Sequence, residues 1–513
     1  MGSARVVWLA ALAAFLSRFP SVLWPLRPDE AGFLLVARSW NPEPDSVYGR
    51  YFVDRPPPII WLIKATDAAA GPYAHRFVGA VGCALLVLAA AAAAREVLRW
   101  TGPDRPEACG RVAGWTAVAT AAMVGNAQID ALSAKGELLG IPFVMGACWL
   151  ALRSVRLASW PAAFGGGLLA ILAVGMKQSI VGGLVFGAVV LVGSVLTRRI
   201  TRAVFLRLAV AAAAGVAVPV LATMVWAWSS GVRLATLWYA VAGFRADAGH
   251  TLAQQDSGPA QARMLVVLAV VLGTGMALVA VWFVIRVPGL ARQLPVVACA
   301  TLLTVTVDAV GVVISGSYWL PYLFVLVPGL ALTLACVLAL DAAQESASGW
   351  QQLTRLVVLV VALSSVVSLA TWTVTWSRGG VPREYRIGEA ISRASRPGDT
   401  LVVYGGRADL QLASGMPSTY PYLWSLPMRT LDPGLRGLRD LLTGARAPTW
   451  VVEAASLDAW SELGTRPIER SLLTKYELVT TACDRYRIFH LNTVDPVALD
   501  VDCSTPWRTI WSN

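Results

Sequence analysis

Long apolar runs recur along this chain from the N-terminus to about residue 376. About eleven of them approach 20 residues, the length of helix that crosses a hydrocarbon core about 30 Å thick. Hydrophobic residues make up 56% of the chain and charged residues 14%, which excludes an ordinary soluble domain. The sequence therefore predicts a polytopic α-helical membrane protein. The expected spans are 5–24, 76–98, 112–128, 137–152, 160–175, 179–196, 204–227, 264–285, 294–314, 318–340 and 354–376.

Arginine clusters in alternate loops between these spans, and cytoplasmic loops accumulate Lys and Arg. This pattern predicts a multi-pass plasma-membrane protein with a cytoplasmic N-terminus. It also accounts for the net charge of +11, so we expect no nucleic-acid partner. Arg18 inside the first run, and no cleavage pattern after it, favour a retained helix over a signal peptide. The arginines concerned are Arg95, Arg99, Arg105, Arg111, Arg153, Arg156, Arg198, Arg199, Arg202, Arg207, Arg286 and Arg292.

The composition changes after the last span, and we divide the chain into a transmembrane domain, 1–376, and an extracytoplasmic domain, 377–513. Strands are expected at 400–404, 449–453 and 486–490, and helices near 383–395, 434–444 and 456–463. This alternation predicts a small α/β domain. Cys483 and Cys503 are the two cysteines expected to meet an oxidising exterior, where they can form a disulfide.

Two short charged motifs follow the first span. Asp29 and Glu30 begin a short interfacial helix, 29–40, and Asp54 and Arg55 precede three prolines. A carboxylate at this position can act as a general base on a hydroxyl nucleophile. It can equally cap the N-terminus of the helix, and the spacing does not separate the two interpretations.

Lysine is rare in this chain, and three of its four lysines lie at expected outer helix ends. A positive charge there opposes the positive-inside bias. Lys135 and Lys177, together with Arg55 and Arg76, would form an anion site if they converge. Each lysine can instead extend to lipid headgroups.

These residues resemble the polyprenyl-phosphate-dependent glycosyltransferases of the C-type fold, in particular the lipid A aminoarabinose transferase and protein O-mannosyltransferase group. The order and spacing of several motifs carry the resemblance, which covers most of residues 20–330. The motifs are Pro28-Asp29-Glu30, Tyr51-Phe52-Val53-Asp54-Arg55-Pro56-Pro57, Trp61-Leu62, Arg76, and more weakly Lys135-Gly136-Glu137, Met176-Lys177-Gln178 and Ser317-Tyr318-Trp319-Leu320-Pro321.

The resemblance implies transfer of a sugar, with inversion, from a polyprenyl-phosphate donor to an envelope glycan, lipoglycan or protein acceptor on the outer face. Asp29 matches the family's catalytic base, and Asp54 matches a second acidic position. Arg55 stands where Lys is commoner. The expected phosphate ligands are Arg55, Lys177, Lys135, Arg76, Arg245 and Tyr318, and the expected acceptor contacts are Glu30 and His250.

Other interpretations stay open at this point. A transporter or flippase of a lipid-linked sugar would also have many spans, but it predicts charges deep within helices, where Arg18 and Asp308 are the clearest examples. No metal site is evident, although some relatives in the wider superfamily use a divalent cation near the first-loop acid. The Ala- and Arg-rich composition suggests a high-GC bacterium with mannose or arabinose donors. The C-terminal domain is expected to help choose the acceptor.

Overall fold

The computed structural model describes residues 2–102, 105–254, 258–344, 349–378, 381–457, 462–495 and 498–504. Helices dominate the part before residue 379. They are α1 Gly2–Leu16, α2 Pro28–Arg38, α3 Pro57–Ala70, α4 Ala74–Trp100, α5 Pro106–Val124, α6 Ala127–Asp130, α7 Gly136–Leu157, α8 Trp160–Met176, α9 Gly182–Leu196, α10 Arg202–Ser229, α11 Leu234–Trp238, α12 Phe244–Ala253, α13 Gly258–Gly273, α14 Met276–Gln293, α15 Pro295–Ile314, α16 Leu326–Ala343 and α17 Gly349–Arg378. Short 3₁₀ turns occupy Phe19–Ser21 and Leu320–Val325, and a π-helical turn occupies Tyr239–Gly243.

Seven helices within the described residues are long and apolar enough to cross a membrane. They are α4, α7, α10, α14, α15, α17 and the continuous segment Leu320–Ala343, which contains α16. The shorter apolar helices α8, α9 and α13 fall below that length. The expected membrane protein is therefore confirmed, while the number of eleven spans stays a prediction.

One expected span is wrong as a single helix. The run 264–285 is divided between α13 and α14, which end and begin on either side of Thr274-Gly275. Gly275 has φ +79°, a left-handed conformation that glycine adopts without the steric cost of a Cβ. Apolar composition alone does not reveal such a break, because both helices share it.

Buried ion pairs mark the two ends of α4. At its start, Arg76 pairs with Glu30, and near its end Glu96 pairs with Arg156 at 2.5 Å. A helix of 27 residues is about 40 Å long, so these pairs lie on opposite sides of the helical domain. Arg153 and Arg99 also approach Glu96, which gathers arginines from the ends of α4 and α7.

The C-terminal domain contains a four-stranded sheet in the order β1-β2-β4-β3. β1 and β2 are parallel, and the other neighbours are antiparallel. Both faces of β1 and β2 are buried, which explains their continuous apolar sequences. The strands are β1 Leu401–Tyr404, β2 Trp450–Glu453, β3 Tyr476–Ala482 and β4 Tyr486–Leu491, and the helices are α18 Arg383–Ala394, α19 Ala408–Ala413, α20 Ser425–Leu431, α21 Arg436–Thr443 and α22 Glu462–Lys475.

The expected small α/β domain is thus confirmed, with two differences. β3 was not expected, because its sequence lacks a long apolar run and only its two end residues are buried. The helix expected near 456–463 lies partly outside the described residues, and the observed helix begins at Glu462. Gly405 and Gly406, with φ of +121° and +78°, make a tight turn after β1.

The C-terminal domain packs against α2, α3 and the segment that joins them. Ala408 and Leu423 are buried in one apolar cluster with α2, α3 and the segment between them. Backbone groups join the two parts as well, because Phe52 N–H donates to Pro421 O at 3.0 Å. The Tyr51 hydroxyl accepts from Ser418 N–H at 2.9 Å. The first loop and the domain therefore form one packed unit.

Cys483 and Cys503 form a disulfide that closes a segment of 20 residues. We expect the double substitution Cys483→Ser/Cys503→Ser to destabilise the C-terminal domain by about 3 kcal/mol, because the open chain regains loop entropy. Thermal unfolding followed by tryptophan fluorescence measures this effect. Cys299→Ser, at an exposed free cysteine, is the matched control and is expected to leave the midpoint unchanged.

Candidate active site

Asp29 occupies the first turn of α2, directly after Pro28, and its carboxylate contacts two distant parts of the chain. Oδ2 lies 2.9 Å from Lys135 Nζ, and Oδ1 accepts a hydrogen bond of 3.0 Å from Trp424 Nε1. The side chain remains 34% exposed, so a ligand can reach it. Asp29 makes no capping bond to its own helix among the described contacts. The interpretation as a reactive carboxylate is therefore compatible with the geometry.

Glu30 caps the helix instead. Its Oε2 accepts from the backbone N–H of Arg27 at 3.1 Å, which is a capping-box contact. Oε1 accepts from Ala134 N–H at 2.9 Å and lies 3.1 Å from His75 Nε2. The side chain has no exposed surface. The expected contact of Glu30 with an acceptor is wrong, because every approach to its carboxylate is filled by protein.

Arg76 is the main partner of Glu30 and is equally enclosed. Nε and Nη2 donate to Glu30 at 2.9 and 2.6 Å. The remaining hydrogen bonds go to backbone carbonyls of Ser21, Trp24 and Pro25. All five guanidinium N–H groups are therefore used. The expected role of Arg76 in binding phosphate is wrong, because the group has no donor left to offer.

Asp54 stands between two arginines. Its Oδ1 accepts from Arg55 Nη1 at 2.9 Å, and its Oδ2 lies 2.5 Å from Arg245 Nη2 on α12. The Gln178 amide donates to the Asp54 carbonyl at 2.9 Å, which ties this loop to the end of α8. Among the described contacts, Arg55 uses only Nη1, and both donations go to Asp54. Its Nε and Nη2 thus remain for a ligand.

Lys177, which directly follows α8, is buried against α7 and the segment before α16. Its Nζ lies 2.5 Å from Glu137 Oε1 and 3.6 Å from the centre of the Tyr322 ring. A lysine ammonium has three donors, so these contacts do not exhaust it. The aromatic face adds a cation–π contact that holds the ammonium in place.

The charges around Asp29 shift its pKa. Burial raises the pKa of this carboxyl, but attraction from Lys135 and Arg55 and the hydrogen bonds from Lys135 and Trp424 outweigh that effect and lower it to about 2. Burial lowers the pKa of Lys135, but Asp29 and Asp130 raise it by more. Both groups are therefore fully ionised at neutral pH.

Two expected site residues have no contact with this cluster in the described structure. His250 is exposed on α12. Tyr318 is half-buried with φ +52°, and it packs against the transmembrane core. Tyr322, four residues further on, is the tyrosine that touches Lys177. The expected roles of His250 and Tyr318 stay predictions.

Sequence reasoning missed Glu137, Tyr322 and Trp424 as members of the site. Glu137 belongs to a motif that was recognised for its lysine, and a carboxylate two residues from Lys135 is a signal that could have been followed. Trp424 stands in the aromatic run Tyr420-Pro421-Tyr422-Leu423-Trp424, a pattern typical of a domain core. Nothing in its local sequence indicates a contact with residue 29.

The residues around Asp29 do not fit a divalent cation in this arrangement. The Lys135 ammonium already lies 2.9 Å from Oδ2, where a metal ion would have to bind. Asp54 is likewise enclosed by arginines. No group of three or more His, Cys, Asp or Glu side chains suited to a metal occurs among the described residues.

The structure is similar to those of known membrane glycosyltransferases. ArnT from Cupriavidus metallidurans in the apo state is 15% identical with a TM-score of 0.57, and the match covers 95% of this chain and 97% of that one. The same protein bound to undecaprenyl phosphate is 14% identical with a TM-score of 0.55 over the same shares of both chains. The archaeal oligosaccharyltransferase AglB from Archaeoglobus fulgidus, in complex with an inhibitory peptide and a dolichol-phosphate, is 13% identical with a TM-score of 0.50. That match covers 98% of this chain and 75% of AglB.

The chain has the C-type glycosyltransferase fold. The structural neighbours are the lipid A aminoarabinose transferase ArnT and the oligosaccharyltransferase AglB, so the resemblance seen in the sequence is confirmed at the level of the fold. No protein-family model and no curated protein sequence matches the chain. The similarity therefore lies in the arrangement of the helices and of the C-terminal domain more than in shared residues.

In this C-type fold, Glu30 is expected to act as a structural anchor. We expect Glu30→Gln to lower the free energy of unfolding by about 3–5 kcal/mol, because it leaves the buried Arg76 guanidinium without its counter-charge. Thermal unfolding of the purified protein measures the loss. Glu107→Gln removes a 94% exposed carboxylate near the start of another helix and is the matched control. Equal midpoints for both variants would contradict the anchoring role.

Lys135 is expected to set the pH range in which Asp29 is ionised. Because Lys135 lowers the pKa of this carboxyl, Lys135→Met should raise it. Activity that needs ionised Asp29 is lost as the pH falls through that pKa, so the acid limb of the kcat/KM profile should move to higher pH in the variant. An unchanged limb would show that another group sets it.

Proposed function

We propose that this protein is a membrane glycosyltransferase that moves a sugar from a polyprenyl-phosphate donor to a hydroxyl of a cell-envelope glycan or lipoglycan. Asp29 is the general base, and the reaction inverts the anomeric carbon. The fold supports the general class, since its structural neighbours are polyprenyl-phosphate-associated glycosyltransferases. The particular assignment depends on the residues around Asp29 and Asp54.

The observation that carries the proposal is the surplus of positive charge beside a reachable carboxylate. Lys135 pairs with Asp29 and Lys177 pairs with Glu137, whereas the single carboxylate of Asp54 serves two arginines. In these ion pairs four cations therefore share three carboxylates. A bound phosphate would balance the remaining positive charge. It would also accept hydrogen bonds from the N–H groups that Arg55 does not use for Asp54, since guanidinium groups bind phosphate through pairs of hydrogen bonds.

The reaction requires two changes of charge that these groups can stabilise. An acceptor oxygen attacks the anomeric carbon as its proton passes to the Asp29 carboxylate. The bond between that carbon and the phosphate oxygen breaks, and the electron pair stays on the lipid phosphate. Arg55, Arg245 and Lys177 are fixed cations suited to the developing negative charge. The ionised Asp29 also stabilises the positive charge that the sugar ring develops.

A pKa of about 2 makes Asp29 a weak base in the free protein. Donor binding changes this, because a phosphate at Arg55 offsets the attraction that this arginine exerts on Asp29. The pKa of the carboxyl then rises toward the working pH. The base therefore becomes effective only when the donor is present.

The site is placed on the extracytoplasmic side in this proposal. The disulfide between Cys483 and Cys503 supports that side, since disulfides persist in oxidising compartments. Arg153 and Arg156, at the end of α7, approach Glu96 near the opposite end of α4, which agrees with the positive-inside rule. Decaprenyl-phosphate mannose and arabinose are the donors we propose to test first. A secreted protein's Ser or Thr is the second acceptor class.

Asp29→Asn tests the proposal directly. The purified protein in lipid nanodiscs is offered a panel of polyprenyl-phosphate sugars and envelope extracts, and donor consumption and product are followed by mass spectrometry. We expect the wild type to transfer sugar and Asp29→Asn to lose about 100-fold to 10,000-fold in rate, because the amide cannot accept the proton. Donor binding should be kept, since Arg55 is unchanged.

Asp67→Asn is the matched control, since Asp67 on α3 pairs with Arg38 on α2 and has no contact with Asp29 among the described residues. Equal thermal midpoints exclude misfolding as the cause of any loss. Full activity of Asp29→Asn would refute the base assignment. Movement of intact donor across the bilayer without transfer would favour a flippase.

A further inference from the structure

Trp424 belongs to the C-terminal domain but its side chain reaches the transmembrane domain. It precedes α20, and its indole Nε1 donates to Asp29 Oδ1 at 3.0 Å. The ring lies against the backbone of α2 at Gly32, where a Cβ would be only 2.3 Å from the ring. The ring centre is 5.7 Å from that of Phe33. A glycine at position 32 is therefore what lets the indole approach Asp29.

The segment 418–423, which leads to Trp424, is fixed to α2, α3 and the residues that join them. Ser418 N–H donates to the Tyr51 hydroxyl at 2.9 Å, and Phe52 N–H donates to Pro421 O at 3.0 Å. Leu423 is buried in the same apolar cluster as α2 and α3. Contacts of the residues that precede Trp424 thus set the position of the indole, and it is more than a surface side chain that happens to touch Asp29.

A carboxylate on a short side chain needs such support. The terminal torsion of Asp has a broad energy minimum, so one ion pair leaves the carboxylate free to turn. Lys135 holds Oδ2 and Trp424 holds Oδ1, which together fix the plane of the group. Each oxygen retains a second lone pair for the proton of an acceptor hydroxyl.

We propose that Trp424 is a positioning residue for Asp29, so that the C-terminal domain completes the candidate active site. This inference rests on the proposed role of Asp29 as base. It differs from the expectation that the domain helps choose the acceptor, because a domain that orients the base acts on the chemical step. Removal of the indole N–H should therefore lower kcat and leave KM unchanged.

The first experiment compares Trp424→Phe with wild type in sugar transfer. Phe retains a smaller aromatic ring and lacks the donor, and we expect kcat to fall about tenfold or more, as for loss of a hydrogen bond to a charged group. Trp160→Phe, at an exposed tryptophan that begins α8, is the matched control and should keep full activity. An unchanged kcat, or a change confined to KM, would overturn the proposal.

Gly32→Ala provides an independent variant that removes no polar group. Its methyl displaces the Trp424 ring, so kcat should fall in the wild-type background. In the Trp424→Phe background the same substitution should cost clearly less, because the smaller ring leaves room and the hydrogen bond is already lost. Strictly additive losses would contradict the proposed contact.

A measurement without substrate separates this inference from the proposed function. The full chain is labelled with 5-fluorotryptophan, and the ¹⁹F resonance of Trp424 is assigned by its absence in Trp424→Phe. We expect Asp29→Asn to shift that resonance and Asp67→Asn to leave it in place. An unshifted resonance overturns the contact. A shift in a protein that consumes no donor would refute the proposed function and leave the contact standing.

Discussion

The candidate active site depends on the buried pair between Glu30 and Arg76. It joins the start of α2 to the start of α4, and the Ala134 N–H on the same carboxylate adds the segment before α7. Successive residues on a helix point about 100° apart, so an inward Glu30 directs Asp29 away from the core. The bond to Ala134 places the next residue, Lys135, beside Asp29. The structural carboxylate of Glu30 thus positions the exposed carboxylate of Asp29 and its partner Lys135.

Beyond this anchor, the charged side chains of the candidate site form a series of ion pairs on loops and helix ends. Asp29, Asp54 and Glu137 each have a basic partner, and no carboxylate of this group is left uncompensated. Because the cations exceed the acids by one, the group is suited to a further anion. Separation of the fully buried anchor from the partly exposed pairs allows the fold to stay intact while ligands exchange.

The C-terminal domain participates in this arrangement through packing as well as through Trp424. Its apolar contacts with the first loop form one cluster, and its backbone bonds to Tyr51 and Phe52 fix the distance between the two parts. A helical domain with the C-type fold and a small sheet domain thereby share a single surface. In physical terms the candidate site lies between them and belongs to both.

The sequence by itself determined the membrane-spanning character, the short helix after Pro28, three of the four strands and the first-loop motif around Asp29, because each depends on local pattern or composition. Tertiary structure alone decided which of the two acids a ligand can reach, since Asp29 and Glu30 have the same local signals but only Asp29 keeps exposed surface. It also withdrew Arg76 from ligand binding, divided the run 264–285, and brought Trp424 to residue 29. These outcomes depend on burial and on contacts between residues more than 40 positions apart, as for Glu30 with Arg76 at a separation of 46. Local sequence does not encode such contacts.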